Sequence, residues 1–201
     1  MTLERKLIEQ QKWLYHISSL ENLESILSQG LLSRSNLRLN ERTFNDVADP
    51  EIIEGRSHTG LDQYVPFHFF PNNPFDGRVQ STYRDAPFFY ICVARATAQK
   101  NSYLIIAKHP LSRETPKYLS YQDGFSSIDW QKMNTRDYKD QETKLICMAE
   151  CISPQAVPAS DFVKLVFKSA EHERYAIATA KKLGIKIDTW INPNFFFRHS
   201  Q

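Results

Sequence analysis

The runs YVPFHFF (residues 64–70), FFYICVA (88–94) and SYLIIA (102–107) decide the fold, because all three are short, aromatic or β-branched, and bounded by turn-forming residues. Runs of that length and composition predict strands, which makes the middle of the chain a sheet. Upstream, WLYHI (13–17) predicts a further strand that delivers His16 to a strand-to-helix junction. The following LENLESILSQG (20–30) predicts a helix, with Ser18 and Glu21 as a capping box, Leu20, Leu23, Ile26 and Leu27 at helical spacing, and Gly30 as the stop. Downstream, LICMAECI (145–152) predicts that the sheet resumes. The strand VKLVF (163–167), the helix SAEHERYAIATAKKL (169–183) closed by Gly184, and the strand IKIDTW (185–190) then follow in the order of a βαβ crossover.

Between these elements the chain is polar and irregular. Residues 33–63 predict one short helix, begun by Asp49 as N-cap with Pro50 at the first position and ended by Gly55. PNNPFDG (71–77) reads as a turn, and residues 109–144 as a second excursion with at most a short helix near Trp130. Two strand-heavy blocks with few helices predict an α+β fold around a mixed, bent sheet, rather than a doubly wound one.

The 201 residues, 41% hydrophobic and 24% charged, fit a single domain spanning 1–201 and exclude disorder. Twenty-five Lys and Arg against 23 Asp and Glu leave a formal +2, too balanced for a tight electrostatic grip on long duplex nucleic acid. Cys92, Cys147 and Cys151 show no paired spacing, no Cys or His pair stands at zinc spacing, and the N-terminus has no uninterrupted apolar run. A cytoplasmic protein without disulfides, metal or membrane span is therefore expected. Six glycines form neither a GxGxxG turn nor a P-loop, so a nucleotide must be held in some other way.

Four side chains stand out. Glu150 is a carboxylate inside an apolar run, where an ionised group belongs either to a structural ion pair or to a functional acid, and composition leaves the two readings equal. His16 fits a satisfied core histidine better than a ligand contact, and Asn22 a polar residue of a helix's first turn. Arg56, directly after Gly55, is a solvated arginine or a fork for a pyrophosphate or a base edge. Arg34, Arg38 and Arg42, together with the basic C-terminal unit and interleaved with Phe44, Tyr64, Tyr121, Phe125 and Tyr138, suggest a shallow path on which single-stranded bases could stack.

The ordered blocks YHISSLENLESILSQGLL, EGR, DQYVPFHFFPNNPF, MAECISP and DTWINPNFFF cover nearly the whole chain, and together they resemble the DarT family of DNA ADP-ribosyltransferase toxins. The resemblance implies an ADP-ribosyltransferase-like split, bent mixed sheet with peripheral helices. It implies transfer of ADP-ribose from NAD, consumed as a substrate without a metal, to a nucleobase of single-stranded DNA. A toxin of a toxin–antitoxin or phage-defence system, with a macrodomain antitoxin as partner, is expected with it. Position by position, His16 and Asn22 match the NAD-contacting histidine and asparagine, Arg56 the active-site arginine, Glu150 the catalytic glutamate, and residues 130–149 the substrate-recognition segment. Met148 stands where the family carries glutamine, and PNNPF where it carries PRSPM. A second reading is a binding module of the same fold that holds NAD or nucleic acid with little catalysis, and within enzymes the nearest rival is transfer onto RNA or protein.

Overall fold

The computed structural model describes residues 6–39, 50–110 and 115–197, with backbone only for 50–53. Asp49, Arg42 and Phe44, singled out in the sequence, lie outside the described residues. Among the described residues eight strands form one sheet: β1 (Trp13–Ser19), β2 (Val65–His68), β3 (Phe88–Ala94), β4 (Leu104–Ile106), β5 (Leu119–Ser120), β6 (Glu150–Ser153), β7 (Phe162–Phe167) and β8 (Thr189–Ile191). Their order is β5-β4-β6-β2-β1-β3-β7-β8. Every neighbouring pair is antiparallel except β7 and β8. The parallel pair is joined by the helix Ala170–Leu183, as the βαβ pattern predicts, with Gly184 ending it at φ 70°. The fold is thus α+β around a mixed sheet.

The central strands are buried on both faces. Leu14, Phe67, Phe89, Ile91 and Phe167 pack into the larger core, and Tyr15, Ile17, Tyr90, Cys92 and Val166 into a smaller one. Such strands read as continuous apolar runs, which is why FFYICVA was legible without alternation. Among the described residues no helix is long and apolar enough to cross a membrane.

Several local expectations are corrected. Ser19, not Ser18, caps the helical segment after β1, its side chain accepting from the Glu21 amide. The segment starts as a 3-10 turn, Leu20–Asn22, and continues as α1 (Leu23–Gln29) to Gly30 at φ 82°. A short helix absent from the reading, α2 (Arg34–Leu39), follows it. The helix α3 (Pro50–His58) runs through Gly55 instead of stopping there. The expected turn PNNPFDG instead starts α4 (Pro74–Thr82), because the Asn73 side chain accepts from the amides of Phe75 and Asp76 and Pro74 sits in the first turn. The interior strand β3 leads into α5 (Arg95–Lys100).

The largest correction concerns residues 109–152. The helix expected near Trp130 is α7 (Trp130–Thr135), but the excursion also contains β5 and the helices α6 (Tyr121–Ser127) and α8 (Gln141–Ile146); each helix is begun by a side-chain cap, from Ser120, Asp129 or Asp140. LICMAECI is therefore not one strand. Leu145 and Ile146 end α8, and β6 starts only at Glu150. A short apolar run fits either period, and here the capped helix wins up to residue 146.

Candidate active site

The sheet parts where the site forms. β1 and β2 meet at a single pair, Tyr15 opposite His68, whereas β1 and β3 pair along seven residues. Pro66 has no N–H to give a ladder bond to β1, and its carbonyl accepts from the His16 side chain, whose Nδ1 lies 2.8 Å away. Beyond that bridge the strands diverge, and a cavity of about 1050 Å³, open to solvent, fills the gap. His16, Asn22, Arg56 and Glu150 all line it. The four residues singled out in the sequence, far apart along the chain, are thus brought to one place.

β6 delivers Glu150 through its pairing with β2, which sets Glu150 opposite His68. Arg56 reaches it from α3. One guanidinium nitrogen, Nη1, donates to both carboxylate oxygens, at 2.8 and 2.9 Å, and Nη2 donates weakly to the Leu61 carbonyl at 3.4 Å. Both side chains are nearly enclosed, 4% and 7% exposed. Arg56 Nε is buried without a hydrogen-bond partner among the described residues. Burial alone pushes the Glu150 carboxyl up, but Arg56, His68 and His109 overcome it and hold the carboxyl below its ordinary range. The carboxylate is ionised, anchored by a cation, and on the wall of an open cavity. The two sequence readings of Glu150, ion pair and functional acid, describe the same residue.

His16 keeps a partial surface at the cavity while its ring is enclosed by β1 and β2. Burial pushes its imidazole down to about 4 against the upward pull of the Pro66 carbonyl, so the ring is neutral at pH 7. With Nδ1 donating to Pro66, Nε2 is left as an acceptor. Asn22, buried at the start of α1, donates from Nδ2 to Ser18 Oγ at 3.4 Å. It therefore faces the cavity from the helix side.

Sequence reasoning passed over His68. Its ring lines the same cavity, packs on Phe75 at 5.3 Å, and shares Nδ1 with the Ala149 carbonyl at 3.2 Å. A histidine inside YVPFHFF, a strand otherwise fit for burial, was the available signal. Ser33 and Arg34 also line the cavity at the start of α2. Of the supposed stacking residues, Tyr64 lines the cavity, whereas Tyr121 and Phe125 stack on each other against the core of the α6 region. Residues 130–149 form α7, α8 and the turn leading into Glu150. All three cysteines are buried and unpaired. Among the described residues no three His, Cys, Asp or Glu side chains gather as a metal site.

The family model for "ssDNA thymidine ADP-ribosyltransferase, DarT" matches residues 15–197. The Thermus sp. 2.9 DarT structure in complex with ADP-ribosylated ssDNA superposes with a TM-score of 0.81 at 17% identity, over 92% of this chain and 96% of that one. The same protein in complex with NAD+ gives 0.75 at 17% identity, over 94% and 98%. Thermosipho africanus DarTG in complex with ADP-ribose gives 0.74 at 21% identity, over 93% of this chain but 51% of that chain. No curated protein sequence matches significantly.

Proposed function

The chain belongs to the DarT family of ssDNA thymidine ADP-ribosyltransferases, and from that premise we propose how its cavity performs the transfer. NAD lies in the split between β1 and β2, with the neutral His16 Nε2 and Asn22 contacting it, so that the nicotinamide ribose comes over Glu150. Breaking the bond between that ribose and nicotinamide leaves the electron pair on nicotinamide and positive charge on the sugar. The Glu150 carboxylate stabilises this charge. At roughly 4 Å and an effective dielectric near 20 the attraction is about 4 kcal/mol, or about three decades of rate.

The acceptor is a thymidine base in single-stranded DNA. Its ring N–H is engaged in pairing within a duplex and is free only when the base is unpaired or flipped. The ring nitrogen bonds to the sugar carbon as nicotinamide leaves, and gives up its proton. Of Arg56 and Glu150, the guanidinium has no acceptor atom, so the proton passes to Glu150. Arg56 instead holds the carboxylate ionised and in place, and offers its remaining N–H groups to NAD.

The single observation that carries this reading is the Arg56-anchored Glu150 carboxylate on the wall of the split-sheet cavity. We further propose one domain over residues 1–201, a cytoplasmic setting where NAD and unpaired DNA meet, action as a toxin on DNA, and a macrodomain antitoxin that reverses the modification. The test is to incubate the protein with NAD and thymidine-bearing single-stranded oligonucleotides and to weigh them. An added ADP-ribose with nicotinamide release is expected, and none on an oligonucleotide whose thymine ring nitrogen is methylated. Unmodified DNA in every reaction would overturn the proposal.

A further inference from the structure

Beside the cavity stands a pair of tyrosines that the transfer mechanism does not use, one lining it and the other packed on the first. Tyr64 lines the cavity next to Arg56 and Glu150, and packs against the buried cluster of Leu61, Ile106 and Ile152. Tyr118 leans on it, with ring centroids 5.8 Å apart and planes tilted by 36°. The Tyr118 hydroxyl donates to the Thr59 carbonyl at 3.0 Å, three residues past Arg56, which ties the ring to the segment that carries Arg56. Yet Tyr118 is 37% exposed, and the preceding Lys117 is exposed as well. Burial raises the Tyr118 hydroxyl above its ordinary value, and the charges of Arg56 and Glu150 act on it too, which places the ring within electrostatic reach of the site.

A large aromatic ring held in place with a free face is a platform for a flat ligand. Bases of single-stranded nucleic acid stack on such rings regardless of sequence, while cations meet the phosphates beside them. Resting on the reading that the acceptor is single-stranded DNA, we propose that Tyr118, backed by Tyr64 and flanked by Lys117, stacks the base next to the modified thymidine and so presents that thymidine to the cavity. Tyr118 is a substrate-positioning residue that contacts DNA and leaves NAD untouched.

Fluorescence anisotropy with a labelled thymidine-bearing oligonucleotide measures this directly, and does so whether or not transfer takes place. Tyr118→Ala is expected to weaken oligonucleotide binding about ten- to a hundred-fold. NAD affinity, measured by calorimetry, stays within about twofold. Tyr118→Phe keeps the ring but loses the bond to Thr59, and is expected to bind DNA within about threefold of the natural protein. On oligonucleotides with an abasic site at the position flanking the thymidine, Tyr118→Ala costs nothing further. Unchanged DNA binding by Tyr118→Ala overturns the proposal. So does an equal loss on the abasic oligonucleotide, or a Tyr118→Phe variant as weak as Tyr118→Ala, because either would make the role one of holding the loop. If the natural protein modifies no DNA but the ring dependence of binding persists, the transfer reading fails and the platform stands.

Discussion

Two carboxylates are buried on the same sheet scaffold, and they are held in opposite ways. Glu150 meets a guanidinium, is kept ionised, and lines an open cavity. Asp76, on α4, meets only neutral donors: Tyr90 Oη and Asn73 Nδ2 donate to its Oδ2, both at 2.9 Å, while Oδ1 has no partner among the described residues. Burial pushes the Asp76 carboxyl up, and the nearby His68 and the bond from Tyr90 only partly oppose it. Asp76 does not line the cavity, and its network ties α4 to β3. The difference teaches that burial of an acid does not mark a functional site. A cation that keeps it charged, and an opening through which a developing positive charge can approach, do so together.

The largest effect that separates the two is on the reaction. Glu150→Gln is expected to lower ADP-ribose transfer about a thousand-fold, read as adduct mass per time on a thymidine oligonucleotide. It should also cost about 3 kcal/mol of unfolding free energy, because Arg56 then stays charged and buried without its partner. Pairing Glu150→Met with Arg56→Met removes both charges, and should recover much of that stability while leaving the reaction dead. A double variant less stable than either single one would mean that the pair is a net stabiliser. Asp76→Ala should show the reverse pattern. It costs about 1–3 kcal/mol by leaving the Tyr90 hydroxyl proton and one Asn73 amide proton without an acceptor, with turnover per folded molecule within about twofold. A collapse of turnover at equal folding would erase the distinction between the two acids.

The same contrast explains what the sequence made legible. Long-range anchors were readable one by one: His16 on an aromatic strand, Asn22 in a helix's first turn, Arg56 after a helix-forming segment, and Glu150 in an apolar run. The ordered blocks joined them into one site, and the structure brings them to one cavity. Glu150 was singled out for a partly wrong reason, since the apolar run 145–152 is not one strand: its first two residues end α8, and β6 starts only at Glu150. Apart from the expected helix near Trp130, the short helices were hidden because six to nine residues give too little periodicity to outweigh polar surroundings. Their caps, Asn73, Ser120 and Asp140, were in plain view. The Arg56 partnership could not be read at all. It depends on the Arg56 side chain reaching from α3 to β6 across 94 residues of chain.

The smallest effects are in pH, and here the two acids should pull in opposite directions. The folded Glu150 carboxyl lies below its ordinary 4.5, so its contribution to stability is complete above that value and is lost as pH falls through the lower folded value. The folded Asp76 carboxyl lies above its ordinary 3.8, so its contribution is present below 3.8 and is lost as pH rises through the folded value. His16 adds a third slope. With its imidazole moved from 6.5 down to about 4, the fold favours the neutral ring, and stability declines as pH drops across that interval and levels off below it. Urea unfolding midpoints measured from about pH 3 to 7 can separate these terms through three variants. His16→Gln should flatten the decline between 6.5 and about 4, Glu150→Gln should flatten the loss at the acid end, and Asp76→Asn should gain on the natural protein as pH rises. An Asp76→Asn variant that instead loses ground toward neutral pH would mean that its carboxyl is held ionised like Glu150, and that neutral donors alone can do what Arg56 does.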